Sequence, residues 1–379
     1  MSEPRGRACG DCLRRAWLVA SLAGHIEQAV DNTPGRRAHE LLALPDERLA
    51  GALARSKSAD FLERAAQRDP ERMLAAVTGS GAWATCRHDE LYPEALGDLG
   101  DAPPVIFGRG KTTVLAGLAR TGAVTIVGSR RPSRYGREIA RELGRELAAA
   151  GFAVVSGMAI GIDAAAQEGA LGTGGVTIAV LGCGVDVPYP PRHTRLYGEI
   201  VERGLVIGEL PPGTQARRWT FPARNRIMAA LGAMTVVVEA RERSGSLITA
   251  EMAGDLSREI GAVPGLLGTS PAAGPNALIH DGAHLIRDAQ DVLDVLVGPG
   301  AQSRPTRTAT GPSLEEQLLE VLDLVERGGG AADALARASG LDPGSLATAL
   351  VRLELAGYLR RNGDGRYERT RLAVPADSR

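Results

Sequence analysis

Six short apolar runs punctuate the middle of the chain, each closed by glycine or a small polar cluster. They lie at 124–127, 152–155, 177–180, 205–207, 235–238 and 259–263. The runs are continuous in Val, Ile, Ala and Thr rather than alternating with polar residues. That pattern predicts parallel strands buried on both faces. Helical spacing between the runs, as over 135–150, predicts the repeated strand, turn and helix of a sheet covered on both sides. The expected fold class is α/β: a Rossmann-like, doubly wound, mostly parallel sheet.

On either side the pattern changes. Residues 16–22, 38–44 and 47–55 carry apolar positions at helical spacing, Pro45-Asp46 gives a helix start, and no strand-like run precedes residue 81. A helical domain over 1–80 is predicted. Leu91-Tyr92-Pro93 and Ala102-Pro103-Pro104-Val105-Ile106-Phe107 read as extended chain and turns, since proline biases its predecessor away from helix. They open a Rossmann-like domain over 81–298. Residues 299–312 have the Gly, Pro, Ser and Thr composition of a linker. Helical runs follow at 314–325, 331–339 and 342–355. Gly357-Tyr358-Leu359 and Arg366-Tyr367 then flank the hairpin-turn sequence Asn362-Gly363-Asp364-Gly365. That order predicts a winged-helix domain over 313–379.

The chain has 379 residues, 44% hydrophobic and 23% charged, which is ordinary globular composition. Its net charge is −1, so a polyanion site has to be a local cluster and not a global field. Lys57 and Lys111 are the only lysines; the other cations are arginine. No apolar run approaches the ~18 residues of a transmembrane helix. With no secretory signal and four scattered cysteines, a reducing cytoplasmic setting is expected. Cys9-Gly-Asp-Cys12 has chelating spacing, but no second pair follows it. A closed zinc site needs two more ligands, for which Cys86 with His88 is a remote candidate. The reading therefore takes Cys9 and Cys12 as free thiols and assigns no metal.

The densest local cluster is Arg217-Arg218-Trp219-Thr220-Phe221-Pro222-Ala223-Arg224-Asn225-Arg226. It holds four arginines, and no acid lies between Glu209 and Glu239. Cations beside an aromatic ring suit a single nucleic-acid strand, since phosphates bind Arg and a bare base stacks on a ring. A solvated basic loop is the other reading of the same residues. The turns after the predicted strands weigh on the choice. Gly128-Ser129-Arg130-Arg131, with Arg134, opens a helix, where free N–H groups and glycine let a phosphate approach. Ser156-Gly157 ends the second run, and Asp163 there is either a helix cap or a ligand. Ser244-Gly245-Ser246 starts a helix after the fifth run, as an N-cap, an anion site, or both. Carboxyl ends of parallel strands are where ligands bind in an open α/β sheet, so these loops should converge. Cys183 has no histidine base beside it in sequence, GxSxG is absent, and no carboxylate pair or metal-ligand run stands out. The site reads as one that binds. No catalytic residue and no cofactor are assigned.

In this order, the motifs resemble the DNA-processing protein A (DprA/Smf) family. The residues that carry the resemblance include Val127-Gly128-Ser129-Arg130, Tyr135-Gly136, Ser156-Gly157-Met158-Ala159 and Gly161-Ile162-Asp163. Leu181-Gly182-Cys183-Gly184, Phe221-Pro222 with Arg224-Asn225-Arg226, Ser244-Gly245-Ser246-Leu247-Ile248-Thr249 and Ala262-Val263-Pro264-Gly265 complete it. It is strong over 85–297. It implies a SAM-like N-terminal domain, a homodimer without catalytic turnover, and binding of single-stranded DNA that is protected and loaded with the RecA recombinase in natural transformation. The DNA-contact positions implied are the Gly128-Ser129-Arg130 loop, Arg218, Phe221, Arg224, Arg226 and the Ser244-Gly245-Ser246 loop. Gln167 stands where the family usually has histidine, Ile160 where many members have a basic residue, and Gly261 where an aromatic is common. The alternative reading is a nucleotide-handling enzyme, akin to a nucleoside monophosphate hydrolase, at the same strand ends. A duplex-binding winged helix is disfavoured, because the third helix of that domain carries Arg352 against Glu354.

Overall fold

The apolar runs form a nine-stranded sheet in the computed structural model, which describes residues 7–33, 38–299, 314–328, 330–361, 365–369 and 374–375. Its strands are β1 (Trp83–Cys86), β2 (Val105–Gly110), β3 (Ala123–Val127), β4 (Ala153–Ser156), β5 (Thr177–Val180), β6 (Leu205–Gly208), β7 (Met234–Val237), β8 (Glu259–Ala262) and β9 (His284–Leu285). They lie in the order β1-β2-β6-β5-β4-β3-β7-β8-β9, parallel throughout except where β2 pairs antiparallel with β1 and β6. All six predicted strands are present, with ends shifted by a residue or two. The sequence reading missed β1, β2 and β9.

The helices are α1 (Gly10–Ser21), α2 (Ala23–Asp31), α3 (Ala38–Leu42), α4 (Asp46–Ala54), α5 (Ser58–Ala66), α6 (Pro70–Gly79), α7 (Thr112–Thr121), α8 (Arg134–Ala149), α9 (Ile162–Gly172), α10 (Thr194–Arg203), α11 (Thr220–Leu231), α12 (Gly245–Asp255), α13 (Ala273–His280) and α14 (Ala289–Leu296). Alternate residues of one strand feed two cores, which is why the runs are apolar at every position. Val124 and Ile126 of β3 pack with Leu143 and Leu147 of α8, Ala166 of α9 and Val292 of α14. Ala123 and Val127 pack on the other face with Leu115 of α7, Ile227 and Leu231 of α11 and Ala250 of α12.

The expected border near residue 80 does not separate two cores. Leu13 of α1 and Met73 of α6 share a cluster with Phe107 of β2 and Tyr197 of α10. Leu18, Ile26 and Leu49 close over Leu210, Trp219 and Ala223, and the Trp219 indole donates to the Ala23 carbonyl at 3.0 Å. The chain divides instead into two units, Met1–Arg304 and Pro305–Arg379. The expected linker falls almost wholly outside the described residues.

The second unit holds α15 (Glu316–Gly328), α16 (Ala332–Ser339), α17 (Pro343–Leu355) and the antiparallel pair β10 (Leu359–Arg361) and β11 (Tyr367–Arg369). Leu318, Leu322, Leu335, Leu350, Leu353 and Tyr358 form its core. This is the expected winged-helix plan; turn residues 362–364 lie outside the described ones. Arg352 of α17 is held by Glu315 through two contacts of 2.8 and 3.0 Å. No helix among the described residues is long and apolar enough to cross a membrane.

Candidate nucleic-acid interface

Strand order reverses at β3: the chain runs from β3 out through β4, β5 and β6, then returns to lay β7 on the other side of β3. Loops leaving β3 and β7 therefore part there, opening a crevice at the carboxyl edge. A cavity of about 660 Å³ occupies it. Gly128, Ser129 and Arg130 line it from β3. Arg218, Phe221, Arg224 and Asn225 line it from the segment entering α11. Ser244, Gly245 and Ser246 line it from the start of α12.

The basic cluster is not a loop. Phe221 to Arg226 form the first turns of α11, and Pro222 fits because first-turn N–H groups lack intrahelical partners anyway. Helical spacing sends its arginines in different directions. Arg224 is 5% exposed and forms part of the cavity floor. Its Nη1 donates to the carbonyls of Gly157, at 2.8 Å, and Val180, and its Nε donates to Asn225 Oδ1 at 3.0 Å. Asn225 Nδ2 in turn donates to the Gly245 carbonyl at 3.3 Å, tying α11 to the serine loop. Arg226 points away from the cavity. It is 3% exposed and meets Asp101 at 2.6 Å and Glu209 at 2.5 Å. Its expected place among the converging site residues is thus corrected: its charge is consumed by two buried carboxylates. Arg217 is paired with Glu27 at 2.6 Å.

Other expected residues also separate. The Ser156 hydroxyl is buried and donates to the Ile126 carbonyl at 2.7 Å, so it braces β4 against β3 and does not line the cavity. Gly157 contributes backbone: its carbonyl accepts from Arg224 and its amide donates to Asp163 Oδ2 at 3.1 Å. Arg131 and Arg134 are exposed outside the lining, and Arg134 pairs with Glu138 at 2.9 Å. Asp163 is not the cap of α9, which is Gly161. Its carboxylate accepts from the amides of Gly157 and Ala159, holding the loop after β4. Burial pushes the Asp163 carboxyl up, against the pull of the Arg224 guanidinium and those amides. Ser244 caps α12, accepting from the Ser246 amide, and the two hydroxyls lie 2.8 Å apart. The α12 N-terminus thus opens on the cavity with its free N–H groups and dipole, a ready anion site. Cys183 is buried, which pushes its thiol up to about 12, and its Sγ donates to the Val187 carbonyl.

Gly157 has a specific requirement. A Cβ built there would lie 2.0 Å from Arg224 Nη1. Gly157→Ala therefore displaces a buried, triply bonded guanidinium. It should lower the unfolding free energy by about 1–3 kcal/mol in urea denaturation. A neutral result would mean that Arg224 relocates freely.

The sequence reading missed Tyr189, Arg241 and Arg243, which also line the cavity. Arg241 and Arg243 directly precede the serine loop, a signal that was available. Among the described residues, Arg130, Arg218, Arg241 and Arg243 have no ion-pair partner, and all are exposed. Arg130 lies 5.4 Å over the Phe221 ring, and Tyr189, itself 39% exposed, packs on Phe221 at 5.3 Å. Four uncompensated guanidinium groups thus surround two rings in tilted contact, 39° between their planes, and a helix N-terminus. No lining residue is histidine, cysteine or lysine, and the one lining carboxylate is committed to backbone amides.

Residues 83–297 match the family model described as DNA recombination-mediator protein A, and residues 305–365 match the DprA winged helix domain. Protein Smf of a Synechocystis species is 30% identical, over 95% of this chain and 92% of its own. A putative DNA processing protein DprA of Mycobacterium tuberculosis is 38% identical over 79% of this chain and 74% of its own. The solved DNA processing protein A of Streptococcus pneumoniae is 34% identical and aligns at a TM-score of 0.60, covering 75% of this chain and 95% of its own. That of Helicobacter pylori, described for its single-stranded DNA binding mode, is 32% identical at a TM-score of 0.50 over 54% and 92%. With a family model spanning more than half its length and a relative aligned almost end to end, this chain belongs to the DprA/Smf family of DNA-processing proteins.

Proposed function

We propose that this protein binds single-stranded DNA along the carboxyl edge of its sheet and acts as a non-catalytic mediator. In this reading it works in the cytoplasm as a homodimer, protects incoming strands and loads the RecA recombinase onto them during natural transformation. The observation that carries the DNA reading is the ring of unpaired Arg130, Arg218, Arg241 and Arg243 around the Tyr189 and Phe221 rings. Phosphates neutralise the guanidinium groups, and a base stacks on the exposed aromatic edge. The contacts available are to backbone and ring faces, so binding is independent of sequence. Support for a recombinase partner comes from the family's description as a recombination mediator.

A fluorescent dT oligonucleotide titrated at two salt concentrations tests the reading. Binding should be tight at low salt and fall steeply as salt rises, because counterions are released. Absence of binding at low salt, with release of base or phosphate from a nucleoside monophosphate, would turn the site into an enzyme's.

A further inference from the structure

Sequence separates Cys9 and Cys12 from Cys86 and His88 by more than seventy residues, and the fold brings them together. Cys9 caps α1 and Cys12 sits in its first turn. Cys86 ends β1, and His88 lies in the turn that follows. His88 Nδ1 stands 3.4 Å from Cys9 Sγ, 3.6 Å from Cys12 Sγ and 3.9 Å from Cys86 Sγ. All four ligand atoms lie within 4.8 Å of one another. We propose that Cys9, Cys12, Cys86 and His88 form a structural zinc site that clips the N-terminal segment to the edge of the sheet.

The three S···N distances are close to the edges of a tetrahedron. With Zn–S of about 2.3 Å and Zn–N of about 2.05 Å, an ideal tetrahedron has S···N edges of about 3.6 Å. Four atoms so close together surround one ion and leave no room for a polynuclear cluster. Three sulfurs and one imidazole are a closed structural set, with no ligand position left for water or substrate. Cys12 and Cys86 are buried, Cys9 is partly exposed and His88 is exposed, so the site lies at the surface with two of its sulfurs turned inward.

The surroundings orient the ligands. The Cys9 amide donates to Cys86 Sγ at 3.4 Å. Asp89 accepts from the Arg7 amide at 2.7 Å and from the Leu91 amide at 2.8 Å, fixing the turn that carries His88. The Ala8 amide donates to the Ala84 carbonyl, so the segment already lies beside β1. On binding, each of the three thiols gives its proton to solvent, and the imidazole coordinates in its neutral form through Nδ1. Three thiolates leave a net charge of −1 on the site, which the positive end of α1 offsets.

Untagged protein, purified without chelator and assayed by inductively coupled plasma mass spectrometry, should hold one zinc ion per chain. Reconstitution of the metal-free chain with cobalt(II) should give the ligand-field bands of a tetrahedral site and a sulfur-to-cobalt charge-transfer band. Cys183→Ser, which alters the only other cysteine, should keep the metal. Cys86→Ser should lose it, and His88→Cys should retain it with bands shifted to an all-sulfur field. Chelation should lower the melting temperature by about 5 °C or more, because the metal binds the folded chain. A wild-type chain that takes up neither zinc nor cobalt, a Cys9–Cys12 disulfide in the purified protein, or metal retained by Cys86→Ser would each overturn the proposal.

Discussion

Arg226→Ala should lower the free energy of unfolding by about 3–5 kcal/mol, because it strands two buried carboxylates. Arg226 is 3% exposed, and the side chains of Asp101 and Glu209 are 9% and 10% exposed. Its Nη2 donates to Glu209 Oε2 and to the Asp101 carbonyl, and its Nη1 to the Ala223 carbonyl. The Nε approach to Asp101 Oδ2, at 2.6 Å, is too bent to count as a hydrogen bond, so that half of the pair acts through charge. Without the guanidinium the two carboxylates are left out of water with no cation to compensate them. Urea denaturation at neutral pH reads the loss. A triple variant, Arg226→Met with Asp101→Asn and Glu209→Gln, should recover much of the loss, since removing a whole buried pair is far cheaper than breaking it. A loss under about 1 kcal/mol for Arg226→Ala would refute the account.

The same residue marks the limit of what the chain reveals in one dimension. The basic cluster was legible as charge, but its geometry was not. Helical spacing splits Arg224 from Arg226, and the acids that claim Arg226 stand 17 and 125 residues away. The parallel strands were legible because burial on both faces leaves a continuous apolar run. β1 and β2 were not, since Trp83-Ala84-Thr85-Cys86 is short and β2 ends in Phe107-Gly108-Arg109-Gly110. Their strand character comes from pairing with each other and, for β2, with distant β6. The convergence of the Gly128 and Ser244 loops followed from the topology rule alone. Tyr189 did not, because it leaves the sheet after β5 and reaches Phe221 only through the folded crevice. Spacing leaves Cys86 and His88 only a remote candidate for the same reason: without β1 in view, nothing places them beside α1.

Replacing Arg130, Arg218, Arg241 and Arg243 together with alanine should weaken single-strand binding by roughly a hundredfold at 0.15 M salt. Each phosphate neutralised on a single strand releases about 0.7 of a counterion, worth about 0.7RT ln(1/[salt]), or about 0.8 kcal/mol at that concentration. Four such contacts make about 3 kcal/mol. They also set the salt dependence, so the slope of log K against log[salt] should shrink by about 2.8, four times 0.7. All four side chains are exposed and unpaired, so the fold should tolerate their loss. Phe221→Ala should behave differently. It removes a stacking surface, costs about 1–3 kcal/mol, and leaves the salt slope unchanged, because a ring releases no ions. Arg130 lies over that ring, so Arg130→Ala and Phe221→Ala should be non-additive, whereas Arg243→Ala and Phe221→Ala should add. Fluorescence titration across a salt series separates the two classes of contact. If the fourfold variant kept both the affinity and the slope of the wild type, the strand would lie elsewhere on the molecule. If affinity fell without a change in slope, the arginines would be holding the crevice in shape and not touching phosphate.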